Sequence, residues 1–295
     1  MIKTIDRNAL GCEQGVFPSE PHENSDIPDS EKERMLTRRT LITAAALGAG
    51  AMSKLVAACA EESSENQSSA IDPHSLPMLK KGSRLLFQGD SITDMKWGRN
   101  QQDRNHYLGH SYVFLIAARL GVDKPEAELE FFNRGHSGNT VADLRARWQQ
   151  DAIEIQPDIL SILIGVNDVG RTIRAKQEHV PVEKWERDYR SILDASRTAN
   201  PKLKIVLLDP FVLPSSRFSD GEYAKWRSEI DKLCNIVNVL ADDYDAIHLR
   251  TQQIFDVAAK VAKPEHWIWD GVHPLPQGHE LIARNWLQQL AASGE

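Results

Sequence analysis

The chain has 295 residues, and no apolar run in it reaches the roughly 18 to 20 residues that a membrane-spanning helix needs. It has only three cysteines, Cys12, Cys59 and Cys234, too few and too scattered for a disulfide scaffold or a zinc knuckle. It has no excess of positive charge either. Its 35 Lys and Arg face 42 Asp and Glu, a net charge of −7, which argues against a nucleic-acid binder with its basic face. What it does have is 41% hydrophobic residues, enough for a packed core, so a disordered chain is excluded. The length admits one large α/β domain or two ordinary ones.

The N-terminal part divides into unlike pieces. Residues 35–58, MLTRRTLITAAALGAGAMSKLVAA, carry three basic residues and no acidic one. Arg38 and Arg39 stand just before a weakly apolar stretch from Leu41 to Met52. That is the layout of a twin-arginine export signal, and the late Lys54 suits it. Val56-Ala57-Ala58-Cys59 resembles a lipobox, in which small residues admit the processing peptidase and the cysteine thiol receives the lipid. The other reading is an ordinary cleaved signal with Cys59 incidental. Residues 59–77 are rich in Ser and acid and too polar to bury, as suits a tether. Residues 1–34 hold four basic and eight acidic residues in front of a signal that wants positive charge. A start at Met35 explains this; a long leading segment is the alternative. The expected location is therefore outside the cytoplasm, in the periplasm or cell envelope, with membrane contact only through lipid on Cys59.

From residue 78 to 295 one domain is expected. Short, nearly continuous apolar runs at Arg84–Gln88, Leu129–Asn133, Ile159–Ile164, Ile205–Asp209 and Ala246–Leu249 predict parallel strands covered on both faces. Helical patterns lie between or after them, at His110–Leu120, Val141–Gln150, Val182–Ala199, Tyr223–Ala241 and Gln277–Ala292. Gly121 is the expected stop of the first, and Asn200-Pro201 of the third. The alternation implies a doubly wound parallel sheet of about five strands between two helical layers. Sites in such sheets lie at the C-terminal strand ends.

Polar, glycine-bearing blocks stand at those ends. Gly89-Asp90-Ser91-Ile92-Thr93-Asp94 follows the first strand and Asn133-Arg134-Gly135-His136-Ser137-Gly138-Asn139-Thr140 the second. Gly165-Val166-Asn167-Asp168 follows the third, and Trp269-Asp270-Gly271-Val272-His273-Pro274 stands near the C-terminus. A serine hydroxyl needs a neighbouring base to attack a carbonyl, and the base needs a carboxylate to fix its tautomer. Ser91 is the candidate nucleophile, His273 the base, and Asp270 the carboxylate, three residues before the histidine. Acyl transfer also needs donors for the oxyanion. The backbone N–H groups of Ser91 and Gly135 and the side-chain amide of Asn167 are the candidates. Each block alone is weak; all four in this order and place are a strong signal.

These blocks resemble the SGNH hydrolases, the GDSL esterase/lipase superfamily, and within it the acetylxylan esterases with a GDSIT nucleophile block. Phe87–Thr93, GHSGNTVADLRARW at 135–148, SILIGVNDV at 161–169 and WDGVHPLPQGHELIARNWL at 269–287 carry the likeness. The resemblance implies a three-layer α/β/α sandwich with a flavodoxin-like sheet. It also implies Ser91, Gly135, Asn167 and His273 as the named residues, Asp270 as triad acid, and no cofactor or metal. A homo-oligomer is implied likewise. One departure is Gly170-Arg171 after Asn-Asp, where relatives often carry an aromatic. The substrate implied is an acetyl ester of a carbohydrate, acetylxylan or a xylo-oligosaccharide. The alternatives are a lysophospholipase, thioesterase or arylesterase on the same triad, or a carbohydrate O-acetyltransferase. A polar loop between Asp94 and His110 favours a sugar over a lipid.

Other residues have plainer expected roles. Asp90 shapes the turn at Ser91 or touches the site, and His136 lines the pocket. Trp97, Trp267 and Trp269 form an apolar wall for a sugar ring or simply pack. Asp94, Asn139, Asp143 and Asp168 brace loops. His106 and His110 stand four apart, but no third ligand is near in sequence, so no metal is expected. Cys234 lies in an apolar helical run and is expected buried and inert.

Overall fold

The computed structural model describes residues 76–174 and 181–294. The expected leader, export signal, Cys59 and the tether up to residue 75 lie outside the described residues. Five strands, β1 (Arg84–Gly89), β2 (Glu130–Gly135), β3 (Ile159–Leu163), β4 (Lys204–Leu208) and β5 (Ile247–Leu249), form one parallel sheet. The order is β2-β1-β3-β4-β5, the doubly wound order expected. All five residues of β3, at the centre, are buried, which is why these strands read as unbroken apolar runs.

The α-helices among the described residues are, in chain order, α1 (Ser91–Asp94), α2 (Tyr112–Asp123), α3 (Val141–Trp148), α4 (Val166–Arg174), α5 (Val182–Ala199), α6 (Glu222–Asp243), α7 (Thr251–Val261), α8 (Pro264–Trp267) and α9 (Pro276–Ala292). Helices α2 and α9 pack together, and α3 and α6 each pack against α5. With this strand order, the crossover hand that parallel connections favour puts these two groups on opposite faces of the sheet. Phe87 on β1 shows how the first face is held. It is fully buried, edge-on to Tyr112 of α2 (6.1 Å) and tilted against Trp286 of α9 (5.5 Å). The Trp286 indole N–H donates to Ser161 Oγ on β3 (3.1 Å), so its one polar atom is satisfied in the core. On the other face Trp148 of α3 donates to Ser196 Oγ of α5 (3.0 Å).

The end of one expected helix shifts by three residues. Helix α2 passes through Gly121 and ends only before Lys124-Pro125. Gly121 faces open space and demands no special backbone, whereas a proline two residues beyond the helix end disfavours continuation. Asn200 does end α5, in the extended region before Pro201. Helices α4, α7 and α8 were not legible, the first because Gly-x-Asn-Asp reads as a turn. Leu76 and Leu79 are core residues, so the packed fold reaches into the end of the expected tether. Cys234 is partly rather than fully buried, and its thiol donates to Pro210 O. Burial pushes that thiol far above its ordinary value, as suits an inert cysteine.

Replacing Phe87 by alanine leaves a hole between α2 and α9. We expect a loss of about 3–5 kcal/mol. Urea unfolding of the variant against the parent chain measures it.

Candidate active site

The first turn after β1 is built for one serine. Gly89 admits no side chain, since a Cβ there would collide with the Thr93 hydroxyl and the Leu163 carbonyl. Asp90 caps α1, its Oδ1 accepting from Ile92 N (3.0 Å). It therefore shapes the turn. It is almost wholly buried, and burial pushes its carboxyl up to about 7 against the hydrogen bond from Ile92. Ser91 becomes the first residue of the helix, and its N–H has no intrahelical acceptor.

Ser91 Oγ lies 2.8 Å from His273 Nε2, and His273 Nδ1 lies 2.8 Å from Asp270 Oδ2. An ionised carboxylate can only accept, so Nδ1 carries the proton and the Nε2 lone pair faces the serine O–H. Asp270 Oδ1 accepts from the backbone N–H groups of Val272 (3.0 Å) and His273 (2.8 Å), which fixes the carboxylate to its own loop. Burial alone would raise Asp270. The ring hydrogen bond from His273 and these two N–H bonds outweigh it and hold the carboxyl at about 2. The hydrogen bond to Asp270 in turn holds His273 above its usual value, against burial. The loop itself is closed by Trp269 N to His273 O (3.2 Å) and docked by Leu213 N to Gly271 O (3.0 Å). Gly271, at φ +88°, admits no Cβ because the Phe218 ring fills the space.

One expected oxyanion donor is corrected. Gly135 N–H is not free: it donates to Asn133 Oδ1 (2.9 Å) in a buried setting. Gly135 serves instead as a point of close approach, where a Cβ would strike the backbone of Thr93 and Asp94. Three residues on, Gly138 adopts φ +82°, and its N–H has no acceptor among the described residues. Asn167 Nδ2 donates to the neighbouring Asn139 O (3.1 Å), leaving its second amide hydrogen available. Ser91, Gly138 and Asn167 are thus the donors this arrangement can offer. Gly138 was missed because Gly-His-Ser-Gly holds two glycines, and sequence does not say which N–H a side chain consumes.

The block after β2 is pinned to α1 by side chains. Asn133 Nδ2 donates to Thr93 O (2.8 Å) and Leu108 O (2.9 Å). Asp94 Oδ2 accepts from Ser137 N (2.9 Å), Ser137 Oγ (2.7 Å) and Arg99 Nη2 (2.7 Å). Arg99 and the Trp97 indole both donate to Gly135 O. Burial works against ionising Asp94, yet the Arg99 and Ser137 bonds keep its carboxyl below the usual value. Arg171, at the departure from the family pattern, holds Gly138 O (2.8 Å) and Asp143 Oδ2 (3.1 Å). Asp143 and Asn139 brace loops as expected, through Thr140 and Arg147 respectively, and Asp168 accepts from Val141 N.

The three tryptophans do not form one wall. Trp97 is buried behind Gly135. Trp267 donates to Ala258 O and lines a groove between α7 and α9 that no triad residue lines. Only Trp269 stands beside His273, ring centroids 6.4 Å apart, and half exposed. His136 has its ring edge-on to Trp97 and 3.8 Å from Asp151, not against the triad. His106 bonds Asp103 at the surface.

A serine, an imidazole and a carboxylate in hydrogen-bonded series, at the C-terminal edge of a parallel α/β sheet, define a serine acyl hydrolase. Comparison with known proteins narrows the class. The model of the GDSL-like Lipase/Acylhydrolase family matches residues 87–281, and the chain belongs to that family. It is 35% identical to an acetylxylan esterase of Geobacillus stearothermophilus over 217 residues, covering 72% of this chain and 95% of that protein. A GDSL-like lipase from Parabacteroides merdae superposes with a TM-score of 0.67 at 36% identity, covering 73% of this chain and 98% of that one. The Geobacillus acetylxylan esterase structure gives 0.62 at 32% identity, covering 72% and 96%. Catalytic mutants of that enzyme replace a serine, an aspartate and a histidine, the last two three residues apart. The protein is accordingly a carboxylic ester hydrolase.

Three outcomes follow from the geometry. The base must be neutral, so kcat/KM should fall as pH drops through an apparent pKa above 6.5. Asp270→Asn should move that limb to lower pH and lower kcat by about 10⁴-fold, read from pH–rate profiles. Asn167→Ala should lower kcat by about 10²- to 10³-fold with KM little changed, read by steady-state kinetics.

Proposed function

We propose that this protein is an exported serine esterase that removes acetyl groups from carbohydrate, with acetylated xylan or xylo-oligosaccharides as substrate. Ser91 attacks the ester carbonyl as His273 takes its proton. The oxyanion is held by the N–H groups of Ser91 and Gly138 and by the Asn167 amide. His273 then protonates the departing sugar oxygen, and the same histidine activates water to release acetate from the acetyl-enzyme. No step calls for a metal or organic cofactor. The single observation that carries this reading is the unbroken series Ser91–His273–Asp270, two bonds of 2.8 Å. The sugar specificity draws on the likeness to the Geobacillus acetylxylan esterase. Residues 35–58 act as the export signal, and lipid on Cys59 holds residues 78–295 at the cell envelope through the tether.

Acetate release from acetylated xylan, acetylated xylo-oligosaccharides and simple acetyl sugars, run beside a lysophospholipid, tests the substrate class. Sugar acetates should be turned over and the lysophospholipid should not. Ser91→Ala should lower turnover by several orders of magnitude with the thermal unfolding curve intact. Retained activity in that variant would sink the proposal.

A further inference from the structure

Arg217 stands beside the triad loop, and its setting contrasts with that of three arginines near the other site blocks. Arg99 is paired with Asp94, Arg147 with Asp151 and Arg171 with Asp143. Arg217 has no carboxylate within ion-pair distance among the described residues. Its guanidinium carbon lies 3.9 Å above the centre of the Trp269 ring, the residue just before Asp270. Its charge reaches His273 and draws that group's proton affinity down, opposite to Asp270.

The segment that carries Arg217 is anchored. Arg217 N donates to Ser215 Oγ (3.1 Å) and Phe218 N to Ser215 O (3.1 Å). Phe218 packs against Tyr223 and Trp226 and fills the space over Gly271. The triad loop and the arginine are therefore held to the same piece of chain, through Leu213 and Phe218.

Stacking has two consequences. The guanidinium covers a face of the Trp269 ring, so that face is not open for a neutral sugar to lie on. A guanidinium placed over an indole face still has N–H donors at its outer edge, where two of them can act as a fork of parallel donors. That fork matches a carboxylate. An exposed, unpaired cation on a chain of net charge −7 also stands out as a point of attraction for an anion.

We infer that Arg217, stacked on Trp269, is a specificity determinant that binds the carboxylate of a uronic acid next to the acetylated sugar. The preferred substrate is thus an acidic acetylated glycan rather than a neutral one. This inference rests on the carbohydrate acetylesterase reading above. The bound carboxylate would also offset the Arg217 charge felt by His273, easing formation of the imidazolium during attack.

The test uses two acetylated xylo-oligosaccharides of equal length, one with a single uronic acid branch. Wild-type kcat/KM should favour the acidic one by about five- to tenfold, a preference that shrinks as salt screens the pair. Arg217→Gln should bring the ratio close to one. Arg217→Lys should restore only part of it, since a lysine keeps the charge but not the fork. Equal turnover of both oligosaccharides by the wild type overturns the inference and leaves the esterase reading standing. A preference that survives Arg217→Gln overturns it as well. Turnover of neither, with a simple aryl acetate still hydrolysed, overturns this inference and the carbohydrate reading together.

Discussion

Everything this site can do depends on the hydrogen bond between Asp270 and His273. A serine hydroxyl attacks an ester only while an unprotonated imidazole nitrogen faces it, and the carboxylate decides which nitrogen that is. The bond is local, spanning three residues, and two backbone N–H groups hold the carboxylate in place. The bond it serves is not local. Ser91 and His273 are 182 residues apart, and only the sheet brings them to 2.8 Å. The fold's task is to carry a pre-assembled histidine–aspartate pair to a serine presented at the end of β1.

Two carboxylates near that histidine have opposite characters, and environment alone separates them. Asp270 accepts several donors and is held at about 2, while Asp90, buried with one strong donor, is pushed to about 7. The first supports the imidazolium that forms during attack. The second caps the nucleophile helix. A third, Asp94, does mechanical work: by gripping Ser137 it ties the loop bearing Gly138 to the same short helix that bears Ser91. Nucleophile and oxyanion donors are thereby referred to one rigid element, as preorganised transition-state binding requires.

Much of this is legible in the sequence. Parallel strands buried on both faces announce themselves as unbroken apolar runs, and Ile159–Leu163 is such a run. The residue types of the relay could be read because the chemistry demands them at strand ends. What could not be read were partners set by three-dimensional contact. Gly135 looked like an oxyanion donor, but the Asn133 side chain, two residues away, consumes its N–H. Trp97 and Trp267 looked like a platform for a sugar ring, yet their indole N–H groups are satisfied by the backbone carbonyls of Gly135 and Ala258. Arg217 carried no motif at all, and only its position over Trp269 draws notice. Helix α7 escaped because its eleven residues follow a three-residue strand with no strong cap between them.

The most direct measurement of the central claim is covalent labelling of the resting enzyme with a serine-directed fluorophosphonate, followed by peptide mass spectrometry. One adduct on the peptide carrying Ser91 is expected, strongly slowed by His273→Ala and absent after Ser91→Ala. An adduct confined to another residue, or labelling of Ser91 at the same rate without the His273 imidazole, would contradict the relay.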